Sequence, residues 1–210
     1  DVYKRQQFAV AVEEAALALQ AVPDYAEAFG MRALAYMELG QVALAERDFH
    51  RAMSLEPGNP DFANNYGWFL CNNGRAQESI AYFESAIGNQ GYQSPGKALA
   101  NAGACSLKLK NAVAAVRDFE RAFRYEPGSF MTNMSLGRLY FERREYDRAR
   151  FHIGLAEKNE LLNADALWLA IKIERKLGNQ PAEYELAAQL SRRYPSSSEY
   201  AAYQLGAFDE

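Results

Sequence analysis

Small and large apolar residues recur at helical spacing along nearly the whole chain, with charge between them. Ala45, Phe49 and Ala52 fall on one face of a helix, and Glu46 and Asp48 fall off it. The same face returns as Phe83 and Ala86, then as Ala115, Phe119 and Ala122, with Ala149 marking it again. Apolar positions three and four apart predict amphipathic helices. The punctuation between the helices repeats as well. Pro23, Pro57 and Pro127 close the phrases ALQAVPDY, AMSLEPGN and AFRYEPGS; the first two stand 34 residues apart and the next step is 70, two periods plus two residues. Gly40, Gly74 and Gly178 end YMELG, LCNNG and ERKLG, while Gly67, Gly103 and Gly137 fall inside helices.

A fixed period of this length marks a helical repeat array. A small residue lets two helix axes approach, a large aromatic one turn on fills the groove between them, and Pro stops the second helix. The spacings predict tetratricopeptide helix pairs, in an all-α, right-handed superhelical solenoid of eleven main helices and a short terminal one. Full repeats are expected at 26–59, 60–95, 96–129, 130–163 and 164–197 of a single domain, 7–210. A partial repeat at 7–25 precedes them: its second helix, 7–22, carries Ala11, Ala15 and Ala18 on the packed side, and its first helix is expected to be missing from the sequence.

Two stretches depart from the period. GNQGYQSPG, 88–96, makes its repeat two residues too long and is expected to be a surface loop. In the last repeat Glu183 stands at the small position, beside Pro181, so that helix is expected to start late or pack loosely. Beyond it, Ser197 or Ser198 should cap a short helix, about 198–208, whose Tyr200, Tyr203 and Leu205 cover the open end of the stack.

Composition excludes more than it suggests. Hydrophobic residues make up 49% and charged residues 24%, an ordinary soluble balance. The net charge is −4 and basic residues are scattered, so no basic patch announces nucleic acid. Two Cys and two His leave no room for most structural zinc patterns. No apolar run approaches the roughly 18 residues of a spanning helix, and no signal peptide is visible. The chain does not begin with Met, so DVYKRQ is expected to be the remnant of something longer or foreign sequence. Phosphate-loop and H-E-x-x-H motifs are both absent. His50 and His152 fall on second helices, where each is expected to half-cover a helix surface. Glu46, Asp48, Glu84, Asp118 and Glu120 are expected on a solvated face. Neither catalysis nor a metal nor a cofactor is expected.

First helices of such an array line a concave surface with the second, fifth, ninth, twelfth and thirteenth residues of each repeat. In 60–95 these are Asp61, Asn64, Trp68, Cys71 and Asn72; in 130–163 they are Met131, Met134, Arg138, Phe141 and Glu142. An exposed aromatic flanked by amides is the composition of a peptide-binding surface. The candidate partner-binding residues are therefore Asn64, Trp68, Asn72, Met134, Arg138 and Phe141. The competing reading buries Trp68 between neighbouring first helices. At the ninth positions only Arg138 and Lys172 are basic, and Ala100, Ala104 and Leu107 keep the middle apolar. That composition favours an extended or helical apolar segment over a charged tail.

NNYGWFLCNNGR, 64–75, followed by ESIAYFESAI and ALANAGACSLK, resembles the PilW/PilF family of type IV pilus biogenesis proteins, pilotin-like tetratricopeptide lipoproteins. Asn65, Gly67, Trp68, Phe69, Leu70, Cys71, Gly74 and Arg75 match its motif, and Asn101, Gly103 and Cys105 match the following repeat. LWLAIKIERKLG, 167–178, with Pro195 and Ser196, resembles the family's last repeat. The resemblance runs from about Phe8 onward. It implies a scaffold that binds the pilus secretin, supports its outer-membrane placement and assembly, and is lipid-anchored at the periplasmic face of the outer membrane. The anchor is absent from this sequence, so the chain is expected to be the soluble, monomeric body of such a lipoprotein. A generic cytoplasmic tetratricopeptide adaptor for another protein partner is one alternative, and a regulatory or effector domain fused to an enzyme is another.

Cys71 and Cys105 are the only cysteines, and they sit on the first helices of adjacent repeats. They are either two buried thiols, as lone cysteines often are, or a disulfide, which the oxidising periplasm implied by the resemblance would preserve.

Overall fold

The computed structural model describes residues 2–159 and 162–208, the Asn159 side chain aside. Residues 160–161 of the expected repeat 130–163 and the last two residues of the expected domain lie outside the described residues. Twelve α-helices and no strand occur among the described residues. They are α1 (Val2–Ala21), α2 (Ala26–Glu38), α3 (Val42–Leu55), α4 (Pro60–Asn72), α5 (Ala76–Gly88), α6 (Pro95–Lys108), α7 (Ala112–Tyr125), α8 (Phe130–Glu142), α9 (Tyr146–Asn159), α10 (Ala164–Lys176), α11 (Gln180–Arg193) and α12 (Ser198–Leu205). The chain divides into two compact units, 1–115 and 116–210.

The joint inside each helix pair repeats bond for bond. Gln41 N donates to Tyr36 O (2.8 Å), Arg75 N to Leu70 O (2.9 Å), Asn111 N to Ser106 O (2.8 Å), Glu145 N to Tyr140 O (2.9 Å) and Asn179 N to Glu174 O (2.9 Å). An N–H bonded to the carbonyl five residues back closes a Schellman helix end, which requires positive φ at the residue before it. Gly40, Gly74 and Gly178 supply that conformation at three joints, and Lys110 (φ 58°) and Arg144 (φ 61°) at the other two. A search for glycines alone therefore finds three of the five joints.

In residues 1–115 the core is built on aromatic rings against small residues. Ala33, Ala45, Phe49, Tyr66, Phe69 and Leu70 form one buried cluster. Phe49 lies 5.8 Å from Tyr66 and 5.4 Å from Phe69 between ring centroids. A Cβ on Gly67 would meet the Phe83 ring at 3.0–3.2 Å, so α4 can approach α5 only without one. The connection expected over 88–96 is shorter than its composition suggests. Gly88 still belongs to α5, and Pro95 opens α6 at a position where a missing N–H costs nothing. Tyr92 is not a surface residue: it is 7% exposed, packed with Ala63, Ala86 and Ala98. Its hydroxyl has no hydrogen-bond partner among the described residues, and burial pushes its pKa up to about 12.

In residues 116–210 the small-residue rule holds in a different form. A Cβ on Gly137 would lie 2.5 Å from Ile153 Cδ1. The expectation for Glu183 fails. Helix α11 begins at Gln180, two residues after Gly178, just as α3 begins two residues after Gly40. Glu183 is buried there because its carboxylate accepts from Arg175 Nη1 at 2.9 Å. Ser197 is the cap of α12 and accepts from Tyr200 N at 3.1 Å. Leu205 covers nothing, being 83% exposed; Phe208 packs instead, its ring 5.1 Å from that of Trp168.

Three groups expected near solvent are buried. Asp48 (1% exposed) accepts from Arg32 Nε at 2.5 Å, and Asp118 accepts from Arg117 Nε at 2.9 Å. His152 (6% exposed) donates through Nδ1 to Asn133 Oδ1 at 2.9 Å. Each is tolerated because a fixed partner replaces water.

Candidate functional site

Within residues 1–115, α4 presents Trp68 and Asn72 together. Trp68 is half-buried against the cluster of Cys71, Ala76, Phe83, Ala102 and Cys105. Cys71 and Cys105 form a disulfide between α4 and α6, with Cα atoms 5.9 Å apart, so the free-thiol reading is set aside. Lys108 Nζ sits 5.8 Å from the centroid of the Trp68 ring and donates to Asn72 Oδ1 at 2.6 Å. Asn72 Nδ2 in turn donates to Trp68 O at 3.1 Å. The result is a partly open indole backed by a disulfide and framed by an ammonium and an amide. Asn64 does not reach this surface. It is 0% exposed and accepts from Asn101 Nδ2 at 3.0 Å, an amide pair that ties α4 to α6. The sequence marked Asn101 as a match to the family motif and Lys108 as a lining position, but named neither as a partner-binding residue; each stands one repeat after the residue it serves.

Within residues 116–210, Met134 and Phe141 are half-buried on α8 and Arg138 is exposed. Arg138 Nη2 is bonded to Asp165 Oδ2 at 2.6 Å. Lys172 Nζ lies 5.5 Å from the Phe141 ring and 5.4 Å from the Trp168 ring. Trp168, a lining position by sequence, is 8% exposed beneath Phe208, and Arg175 Cζ stands 4.0 Å above the Phe208 ring. Burial first, then the nearby Arg138, holds the Lys172 ammonium below the ordinary lysine range.

The charged second-helix residues act as ties. Tyr66 Oη donates to Glu46 Oε1 at 2.9 Å, and Arg75 Nη1 reaches the same oxygen at 2.5 Å. Tyr140 Oη donates to Glu120, which also receives Arg148 Nη2 at 2.7 Å. Bonds to Arg75 and to Tyr140, respectively, hold the Glu46 and Glu120 carboxyls below the usual range, and burial raises both tyrosine hydroxyls. A cavity of about 550 Å³ opens beside the second tie, with Phe123, Leu136, Phe151 and His152 in its walls. Among the described residues no group of three His, Cys, Asp or Glu side chains is placed to hold a metal ion. No described helix is long and apolar enough to cross a membrane.

Comparison with known proteins places this geometry. The tetratricopeptide repeat family model matches residues 31–96 and 107–158. The crystal structure of PilW, a widely conserved type IV pilus biogenesis factor, is 31% identical and covers 96% of this chain and 93% of its own, with a TM-score of 0.83. The structure of Pseudomonas aeruginosa PilF superposes with a TM-score of 0.88 at 25% identity, over 97% of this chain and 92% of that one. The curated type IV pilus assembly protein PilF of Pseudomonas aeruginosa is 27% identical over 187 residues, 89% of this chain and 74% of its own length. The repeated joints, the small-residue contacts and these likenesses agree: the chain belongs to the tetratricopeptide repeat family and, within it, to the PilW/PilF group of type IV pilus biogenesis proteins.

Proposed function

We propose that the protein is a non-catalytic scaffold that binds the type IV pilus secretin and supports its assembly and outer-membrane localisation, acting at the periplasmic face as the body of a lipid-anchored protein. The observation that carries this reading is the likeness to PilW over nearly the full length of both chains. The disulfide supports it, since such bonds persist in oxidising compartments. The division into a partial repeat, 7–25, full repeats from 26–59 to 164–197 and a terminal helix belongs to the same reading. Trp68, Asn72, Met134, Arg138 and Phe141 face the partner, and Asn64 supports Trp68 and Asn72 from within α4.

Co-purification of the lipidated, full-length protein with secretin subunits tests the partner; a secretin that never co-purifies overturns it. Trp68→Ala tests the surface. Losing an aromatic hot spot costs about 2 kcal/mol, a roughly 30-fold weaker Kd, with helicity unchanged. If the variant unfolds while its folded fraction binds normally, Trp68 is core and the surface lies elsewhere.

A further inference from the structure

Helix α9 breaks a pattern that the other second helices keep. Their sixth residue is Arg47 on α3, Ala81 on α5, Arg117 on α7 and Glu185 on α11, but on α9 it is Phe151, 56% exposed. Phe123 of α7 lies 6.3 Å from it, and both rings stand edge-on to His152, at 5.0 and 5.1 Å. These three rings, Tyr140 and Leu136 bound the cavity of about 550 Å³ between α7, α8 and α9. Its charged walls are Glu120 and Asp147 against Arg124 and Arg148, two of each sign, so it selects neither an anion nor a cation. His152 makes the polar demand. It is 6% exposed, and its Nδ1 donates to Asn133 Oδ1 at 2.9 Å. Burial first, then Arg148, lowers its pKa to about 4, so the ring is neutral and Nε2 is a bare acceptor. Nε2 has no hydrogen-bond partner among the described residues, yet it is not sealed in the core; it opens on the cavity that His152 lines. A guest that fills the cavity displaces water from Nε2, so it must bring a donor of its own.

We propose that this cavity is a second docking site, which takes the tyrosine ring of a partner protein segment: the ring packs on Phe123 and Phe151, and its phenol O–H donates to His152 Nε2. A phenol is neutral, as the balanced walls require, and flat and apolar apart from its hydroxyl, as the ring walls require. Its oxygen also accepts, which suits the guanidinium of Arg124, a group with no carboxylate in bonding distance among the described residues; an indole N–H only donates. The site lies on second helices, whereas the surface proposed for the secretin lies on first helices, so either can fail alone.

The test uses the whole chain and three neutral probes, N-acetyl-tyrosinamide, N-acetyl-phenylalaninamide and N-acetyl-tryptophanamide, followed by aromatic and histidine side-chain NMR. Without probe, the His152 nitrogen shifts should report the Nδ1–H tautomer; an Nε2–H tautomer overturns the proposal. The tyrosine probe should shift Phe123, Phe151 and His152 saturably and move Nε2 in the direction of an accepted hydrogen bond. The phenylalanine probe should bind about fivefold more weakly, and the tryptophan probe no more tightly than tyrosine. His152→Phe, shown by circular dichroism to be folded, should bind the tyrosine and phenylalanine probes equally. Phe151→Ala removes an exposed ring and should weaken both by about fivefold; if His152→Phe does not fold, this variant and the wild-type Nε2 shift decide in its place. Equal binding of tyrosine and phenylalanine probes to the wild type, an unmoved Nε2, tighter binding of the tryptophan probe, or a Phe151→Ala chain that binds like the wild type overturns the proposal. Shifts of the same signals with protein concentration alone assign the cavity to a second copy of the chain and overturn the partner occupant.

Discussion

Reduction of the Cys71–Cys105 disulfide should destabilise residues 1–115 specifically. The bond closes a loop of 34 residues, containing α5 and the connection to α6. In the chain-entropy model, freeing a loop of that length costs about 4 kcal/mol at 25 °C. Both cysteines are buried, so replacing them by Ala also removes buried contacts and adds a packing cost to the entropic one. An unfolding entropy of roughly 2.1 cal/mol/K per residue, over a unit of this size, converts the loss to a Tm lower by about 15 °C. Trp68 reports locally, because its ring packs on the disulfide cluster. Urea titrations of oxidised and reduced protein, read by tryptophan fluorescence and far-ultraviolet circular dichroism, measure the difference, with mass spectrometry confirming the redox state. The Cys71→Ala/Cys105→Ala double variant should ignore reductant and be no more stable than the reduced protein, which keeps both buried thiols. Identical midpoints for oxidised and reduced chains at the same m-value would refute the loop argument.

Three further outcomes are expected. Burial first, and the nearby Arg148 second, lower the His152 pKa to about 4; the folded state then binds fewer protons than the unfolded one, so stability present above the unfolded pKa of about 6.5 is lost as pH falls through about 4, by about 3 kcal/mol at most. His152→Asn should flatten that part of the pH–stability curve, and an unchanged slope would show that His152 is not the titrating group. Gly137→Ala should destabilise by about 1–2 kcal/mol, since overpacking against Ile153 outweighs the gain in helix propensity; adding Ile153→Val should recover part of the loss in chemical denaturation, and no recovery would place the cost elsewhere. Lys110→Gly should stabilise by up to about 1 kcal/mol by relieving a left-handed residue at the α6–α7 joint, and a lower denaturation midpoint would contradict it.

The repeat architecture is legible in the sequence because its signals are local and periodic. Ala45, Phe49 and Ala52 recur in register, and a helix pair with that pattern has one way to bury it. Asn59, Ser129, Asn163 and Ser197 cap helices within three residues of the groups they bond, so those starts too are written locally. The disulfide was half legible: the sequence put both cysteines on adjacent first helices, but only the 5.9 Å Cα separation made them bondable. What tertiary structure alone decided is the environment of each polar side chain. Asn64 and Asn72 are two turns apart on one helix with the same chemistry, yet Asn64 is sealed by Asn101 and Asn72 is open beside Lys108. Asp48, Asp118 and His152 read as solvated because second helices carry charge outward; each is buried because a neighbouring side chain supplies the bond that water would have made. Phe208 reads as tail, and it covers Trp168. Apolar periodicity says which face of a helix turns inward, but the partners of Asp48, His152, Asn72 and Asn64 stand 16, 19, 36 and 37 positions away, and those pairings exist only once the helices have packed.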